Sequence, residues 1–340
     1  MNTPSASPTT ELPNPRQLRS ALEPYARPNK TVAVRQLIVS LALYLLGWVA
    51  MYFSLSISYW LTLLLAIPTA GLLVRIFIFF HDCGHNSFFP SKRANKRVGF
   101  WLGVLVFTPS EQWWHAHAIH HATSGNLEKR GIGDVDTKTV AEYQALSPLQ
   151  RLGYRLFRFP AIMFLLGPIW MFLIQHRFPI PKFGKKETLS VLWTNLAILA
   201  LATALSLLLG FWNYVLIQLP IIWIAGAAGI WLFFVQHQYP NVYWAHEGEW
   251  DYTASALRGA SYYQLPPLLQ WFSGNIGFHQ IHHLNPRIPN YALASAYHNN
   301  PIIQQHSIVI TLPQSLSCAK LALYDESQKR MIAFSELSRP

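Results

Sequence analysis

Four long runs of apolar residues, set out as two pairs, constrain this chain more than any other feature. Residues 37–54 and 57–80 form the first pair, and residues 189–209 and 214–236 the second. Each run approaches the ~20 residues a helix needs to cross the hydrocarbon core of a bilayer. In lipid the backbone must satisfy its own hydrogen bonds, so such runs are expected to be helices. Only Leu55, Ser56 and their neighbours separate the first two runs, and Gly210 to Asn213 the second two, so each pair reads as a tight hairpin. The expected fold is an all-α integral membrane protein with about four transmembrane helices in two hairpins.

Composition points the same way: 51% of the residues are hydrophobic and 12% charged. A formal charge of +11 suits nucleic acid or an anionic membrane surface; beside so much apolar sequence the membrane surface is the better match, and no nucleic-acid partner is expected. Cys83 and Cys318 are too few for a disulfide scaffold or a cysteine-rich metal site.

The chain divides into a polar tail (1–33), a membrane domain (34–290) and a C-terminal tail (291–340). The first tail shows no apolar core of a cleavable signal, and Leu18 to Tyr25 reads as an interfacial helix. In the last, Ile308 to Leu312 is a strand candidate. Residues 98–108 and 159–174 are apolar but short, and are expected at the interface. For 159–174 parity decides the matter, because a crossing there would put the histidines before and after it on opposite sides. Arg75, inside the second run, should either snorkel or pair within the protein. Both tight turns lack Lys and Arg, whereas the stretch between the hairpins carries Lys129, Arg130, Arg151, Lys182, Lys185 and Lys186. That places the stretch, both termini and the histidine-rich cap on the cytoplasmic side.

Eight of the fourteen histidines fall in three clusters: H-D-C-G-H at His81 to His85, H-A-I-H-H at His117 to His121, and H-Q-I-H-H at His279 to His283. On a helix, positions i, i+3 and i+4 share a face. His117, His120 and His121 have that spacing, as do His279, His282 and His283, while His81 and His85 are four apart. One such pair is more often a solvated face or a satisfied buried histidine. Three clusters on one side of a membrane make a site for two metal ions, although imidazole alone suits Fe, Zn, Cu and Ni alike. The Glu-x-x-His pairs of carboxylate di-iron bundles and the H-E-x-x-H of zinc proteases are absent. Haem would want axial ligands on facing helices within the bilayer, whereas these clusters are expected just beyond helix ends.

The three clusters follow the pattern H-x(3,4)-H, H-x(2,3)-H-H and H/Q-x(2,3)-H-H, and the chain resembles the membrane fatty acid desaturase family from about Val34 to Pro289. F-F-H-D-C-G-H-N-S-F-F, F-V-Q-H-Q-Y-P and G-N-I-G-F-H-Q-I-H-H-L resemble its acyl-lipid, delta-12 (omega-6) branch. The resemblance implies two Fe ions held by His81, His85, His117, His120, His121, His279, His282 and His283. His237 is either a further ligand or a donor behind the ligands. Asp82, Asp134, Asp136, His115 and Asn275 are candidates to orient the imidazoles, with a solvated loop the competing reading for Asp134 and Asp136. His176, His246, His298 and His306 read as solvated.

Taking hydrogen from an unactivated methylene is beyond any side-chain acid or base, and needs an oxidant made from O2 at a metal. The resemblance implies O2-dependent formation of a cis double bond in an acyl chain, in a membrane glycerolipid rather than a thioester, with two external electrons per turnover. No haem or flavin segment is evident, so a separate ferredoxin or cytochrome b5-like donor is implied. The basic run Lys92, Arg93, Lys96 and Arg97 could dock an acidic carrier or lipid phosphates. A hydroxylase or ketolase acting on a lipid or carotenoid is the alternative on the same scaffold. A metal transporter or sensor is disfavoured, because the runs hold no polar ion path.

Overall fold

The computed structural model describes residues 12–337; the first eleven residues of the expected N-terminal tail lie outside them. The four apolar runs are the helices α2 (Lys30–Ser54), α3 (Tyr59–Gly84), α9 (Lys185–Leu209) and α10 (Phe211–His237), all long and apolar enough to cross a membrane. They extend beyond the apolar runs chiefly at the histidine-bearing end. Thus α3 carries His81 in its last turn with His85 as its cap, and α10 ends on His237. The first cluster therefore sits on a helix end and not beyond it.

The helix α3 is the axis of the molecule. In its apolar window 61% of residues are buried, against 28% for α2, 33% for α10 and 11% for α9. It packs between α2 and α10 through Ala66, Ala70, Leu73, Ile76, Phe79 and Phe80, all in the main core with Trp48, Met51, Ile217 and Ile221. Arg75 takes the second of its two expected courses and is buried inside the protein.

Shorter helices close the histidine-bearing end: α1 (Pro15–Leu22), α4 (Lys92–Leu105), α5 (Ser110–Thr123), α6 (Val140–Ala145) and α7 (Pro148–Phe157). The basic run is thus the first turns of α4, which continues through the apolar segment expected to lie alone at the interface. A 61° bend separates α7 from α8 (Ile162–Arg177). Pro160 lies in the break, and π-helical turns flank Gly167 and Pro168. Proline removes an amide donor and crowds the preceding turn, which accounts for both irregularities.

The remaining helices that matter for the site are α11 (Tyr252–Arg258), α12 (Pro267–Phe272), α13 (His279–Leu284) and α14 (Asn290–His298). Among the described residues five short strands accompany them: β1 (Lys138–Thr139), β2 (Tyr262–Gln264), β3 (Val309–Thr311), β4 (Leu321–Asp325) and β5 (Arg330–Ala333). β3 falls at the strand candidate and pairs in parallel with β2. The β4–β5 hairpin was not expected. It joins β1 in a three-stranded sheet that packs Leu323 and Ile332 against Tyr143 and Tyr154.

Candidate metal centre

The cap brings nine histidines from four helices together, and sorts them into two groups. His81, His85, His117, His121 and His282 form one group; His120, His237, His279 and His283 form the other. Within each group the potential ligand nitrogens lie within 4.8 Å of one another. The H-x-x-H-H triads do not turn as a unit to one centre. In both, positions i and i+4 face one group while i+3 faces the neighbouring one. Successive residues of a helix are about 100° apart, so i+3 and i+4 diverge by that angle and serve adjacent sites.

The Nε2 atoms point at shared points. In the first group the Nε2–Nε2 separations are 3.0 Å for His81–His282, 2.9 Å for His282–His121 and 3.1 Å for His121–His117. In the second they are 3.2 Å for His120–His237, 2.9 Å for His237–His279 and 3.1 Å for His279–His283. Several of these contacts cannot be hydrogen bonds. His237 Nδ1 lies 2.9 Å from the Gly259 carbonyl oxygen, which can only accept, so His237 carries its proton on Nδ1 and a lone pair on Nε2. His120 Nδ1 lies 2.5 Å from Asp134 Oδ1, which imposes the same tautomer. Two lone pairs 3.2 Å apart repel unless a cation lies between them. His85 Nε2 is buried without a protein partner among the described residues, and its ring faces those of His117, His121 and His282. The donor set fits two cations.

Electrostatics favours the ligating form. Burial, reinforced by neighbouring histidines, pushes His85, His117, His121, His279, His282 and His283 well below the usual 6.5, so these imidazoles are neutral at neutral pH. Neutral imidazole is the metal ligand.

Two carboxylates hold the rings. Asp82 Oδ1 accepts from His81 Nδ1 at 3.0 Å, and its Oδ2 accepts from the Asn290 backbone (2.7 Å) and side chain (2.9 Å). Asn275 is one step further out, donating to the Asn290 carbonyl at 3.1 Å. Asp134 reaches His120 because Gly133 precedes it. At φ +76°, a Cβ on Gly133 would sit 2.7 Å from the Ala116 carbonyl oxygen and 3.1 Å from His120 Cβ. Asp136 is turned outward, its side chain 53% exposed beside Lys138. His115 also lies off the centre, stacked on Phe183 and 3.0 Å from Glu187.

Of the other histidines, His246 bridges Glu128 and Glu326 at the surface, while His298 is exposed. His176 is half-buried and His306 buried, the latter on the Ile302 carbonyl, so neither is a solvated side chain.

Three contributors escaped the sequence. Gly259 acts through its carbonyl and leaves no side-chain signal. Asn290 is recognisable only as the residue that opens α14 after a proline. Trp113, four residues before His117, stacks on it with ring centroids 4.5 Å apart; the i, i+4 spacing was there to be read.

A family model described as fatty acid desaturase matches residues 58–311. A fatty acid desaturase of Bacillus subtilis (strain 168) is 46% identical over 320 residues, covering 94% of this chain and 90% of its own. An sn-1 oleoyl-lipid 12-desaturase of Anabaena variabilis is 27% identical, covering 79% and 76%. A chloroplastic omega-6 fatty acid desaturase of Arabidopsis thaliana is 26% identical, covering 78% and 58%.

Proposed function

The chain belongs to the fatty acid desaturase family, and on that premise we propose that it forms a cis double bond in an acyl chain of a membrane glycerolipid, at a centre of two iron ions and with O2 as co-substrate. The observation that carries this reading is the pair of Nε2 clusters with the tautomers set by Asp134 and the Gly259 carbonyl. One ion is held by His81, His85, His117, His121 and His282, the other by His120, His237, His279 and His283. Imidazole suits several metals, and a family that oxidises acyl chains calls for a redox-active one. The bound pair supplies the oxidising power, from O2 and two electrons, that removes two hydrogens from adjacent carbons.

The chain's own residues orient the imidazoles and exclude water. Asp82, pinned by Asn290, and Asp134 each hold an Nδ1–H, which raises the basicity of the Nε2 that faces a metal. Trp113 on His117, and Phe233 against His120 and His237, each 5.1 Å between centroids, wall the centre with apolar rings. Wet surroundings would leak oxidant and weaken every interaction there.

We place the histidine-bearing end, and with it both termini, on the cytoplasmic side, in keeping with Lys129, Arg130, Arg151, Lys182, Lys185 and Lys186 beside it. Histidines from before and after residues 159–174 meet in one centre, which supports a re-entrant segment there. We also propose the division into a membrane domain over 34–290 between two tails, the second of which packs back on the cap through β3, β4 and β5. A separate ferredoxin or cytochrome b5-like protein supplies the electrons, and the four exposed cations Lys92, Arg93, Lys96 and Arg97 of α4 are suited to an acidic carrier. The glycerolipid assignment draws on the Anabaena relative, an sn-1 oleoyl-lipid 12-desaturase.

The test is gas chromatography–mass spectrometry of fatty acids from a host expressing the chain, beside a His120→Ala variant. The intact chain should yield a new unsaturated species, first in glycerolipid, together with two irons per purified chain. Hydroxylated or keto products, or a purified chain holding zinc alone, would overturn the reading.

A further inference from the structure

Arg75 is a cation buried inside a membrane-spanning helix, and the chemistry above makes no use of it. Its guanidinium donates through Nε to Ser40 Oγ on α2 at 3.1 Å and through Nη1 to the Trp271 carbonyl oxygen near the end of α12. It also lies over the Trp271 ring, 4.4 Å from the centroid, and near Phe79 at 5.3 Å. Among the described residues its partners are thus a hydroxyl, a carbonyl and two rings. A buried charge held this way is costly and does little for stability as such. What it does have is a rigid fork of donors that fixes one helix end against two others.

The helix end it holds leads into the third histidine cluster. One face of α3 receives it: a Cβ on Gly71 would sit 2.8 Å from the Phe272 ring, and one on Gly274 would sit 2.9 Å from Ile78. Positions 71, 75 and 78 lie on the same face of α3 as Asp82 and His85. From Trp271 the chain turns sharply through Gly274 (φ +57°) and Asn275 (φ +62°). Asn275 is then tied to the Asn290 carbonyl, the Ile276 carbonyl to Gln236, and α13 begins at His279.

We propose that Arg75 is a positioning residue, which clamps the end of α12 to α3 and α2 and so sets the register in which His279 and His283 enter the four-histidine site. The inference rests on the two-metal reading above. That reading gives it an asymmetric consequence. The four-histidine site takes half its ligands from α13, whereas the five-histidine site takes only His282 from it. Loosening the clamp should therefore empty the four-histidine site first.

The experiment uses the full chain in detergent, with hydrogen–deuterium exchange and metal analysis on the same preparations of wild type, Arg75→Met, Arg75→Lys and Gly71→Ala. Loss of a buried hydrogen bond to a charged donor should speed exchange in residues 273–284 on the order of tenfold for Arg75→Met, leaving α2 and α3 protected. Lysine, which keeps the charge and one donor direction, should recover part of that protection. Bound metal should fall from two ions towards one. Gly71→Ala prises α12 away without touching the guanidinium and should give the same pattern, so it decides the matter if Arg75→Met does not fold. Unchanged exchange over 273–284, or an increase spread equally over α2 and α3, would overturn the proposal. Were wild type to hold fewer than two ions while the exchange pattern appeared, the two-metal reading would fail and the clamp would stand.

Discussion

Asp134 and Asp136 stand two residues apart in G-D-V-D, and the structure gives them opposite consequences. The informative perturbation is Asp→Asn at each. At Asp134 the carboxylate and the His120 ring are 7% and 1% exposed, so water cannot replace the lost interaction. Asp134 Oδ2 is buried with no protein partner among the described residues. The asparagine amide must therefore either occupy that position without an acceptor or turn its N–H2 against the His120 Nδ1–H. A buried hydrogen bond involving a charged group contributes about 1.5–3 kcal/mol, and removing such a partner behind a metal ligand typically costs about 10–100-fold in affinity or activity. Because both orientations leave a donor unmatched, Asp134→Asn should fall in the upper half of that range. Asp136 is 53% exposed beside Lys138, at 3.3 Å, and such pairs contribute about 0–1 kcal/mol. Asp136→Asn should change product yield by no more than about fivefold on that basis. The assay is the fraction of host fatty acid converted, together with the rate at which the purified chain loses iron to a chelator. Equal losses for the two variants, or a faster chelator reaction for Asp136→Asn, would refute the reasoning.

Gly133→Ala should mimic Asp134→Asn without touching a titratable group, since it forces a Cβ at φ +76° to within 2.7 Å of the Ala116 carbonyl, at a cost of about 1–3 kcal/mol; the His120 contribution to the metal spectrum should be altered in both, and an unperturbed spectrum would count against the Gly133 contact. His115→Ala should leave iron content unchanged while His237→Ala lowers it, because only His237 faces other ligand nitrogens; metal analysis of the two variants checks this. The surface tie of His246 to Glu128 and Glu326 is pH-dependent with a defined sign. Its hydrogen bonds to Glu128 and then Glu326 raise His246 above 6.5, so that contribution is present below 6.5 and lost as pH rises through the higher folded value; the His246 hydrogen bond lowers Glu128 below 4.5, so that one is present above 4.5 and lost on acidification. Protease should cut the β4–β5 hairpin more readily near about pH 8.5 than near about pH 6 in wild type, and the difference should vanish in His246→Gln. Chelator-stripped protein should lose stability as pH falls below 6.5, because histidines held neutral by burial must then charge; an unfolding temperature that rises on acidification would contradict this.

Much of the architecture was legible because lipid leaves so few options. An apolar run of membrane length is a helix, two runs joined by a short turn are a hairpin, and both statements follow from backbone hydrogen bonding alone. The cap was less legible, since its elements are short and held by tertiary contacts. The β4–β5 hairpin depends on Tyr143 and Tyr154 from over a hundred residues earlier, and no local pattern announces it. The same division runs through the site. His81, His85 and the two triads announce themselves by spacing, whereas the Gly259 carbonyl and Asn290 act through backbone or at a distance of 208 residues from Asp82.

The most informative discrepancy lies within H-x-x-H-H itself. Reading i, i+3 and i+4 as one face treats the triad as a ligand set for one point, yet His120 and His282 each leave their neighbours for the other group. One triad contributes two ligands to the five-histidine site and one to the other, and the second triad does the reverse. Each triad therefore bridges the two sites, and α5 and α13 cannot move independently without disturbing both. That coupling explains why the segment feeding α13 is tethered at Arg75, Asn275 and Gln236. It also means that the spacing between the two histidine groups is set by the angular offset between i+3 and i+4 on two facing helices, which no substitution at a single histidine can retune.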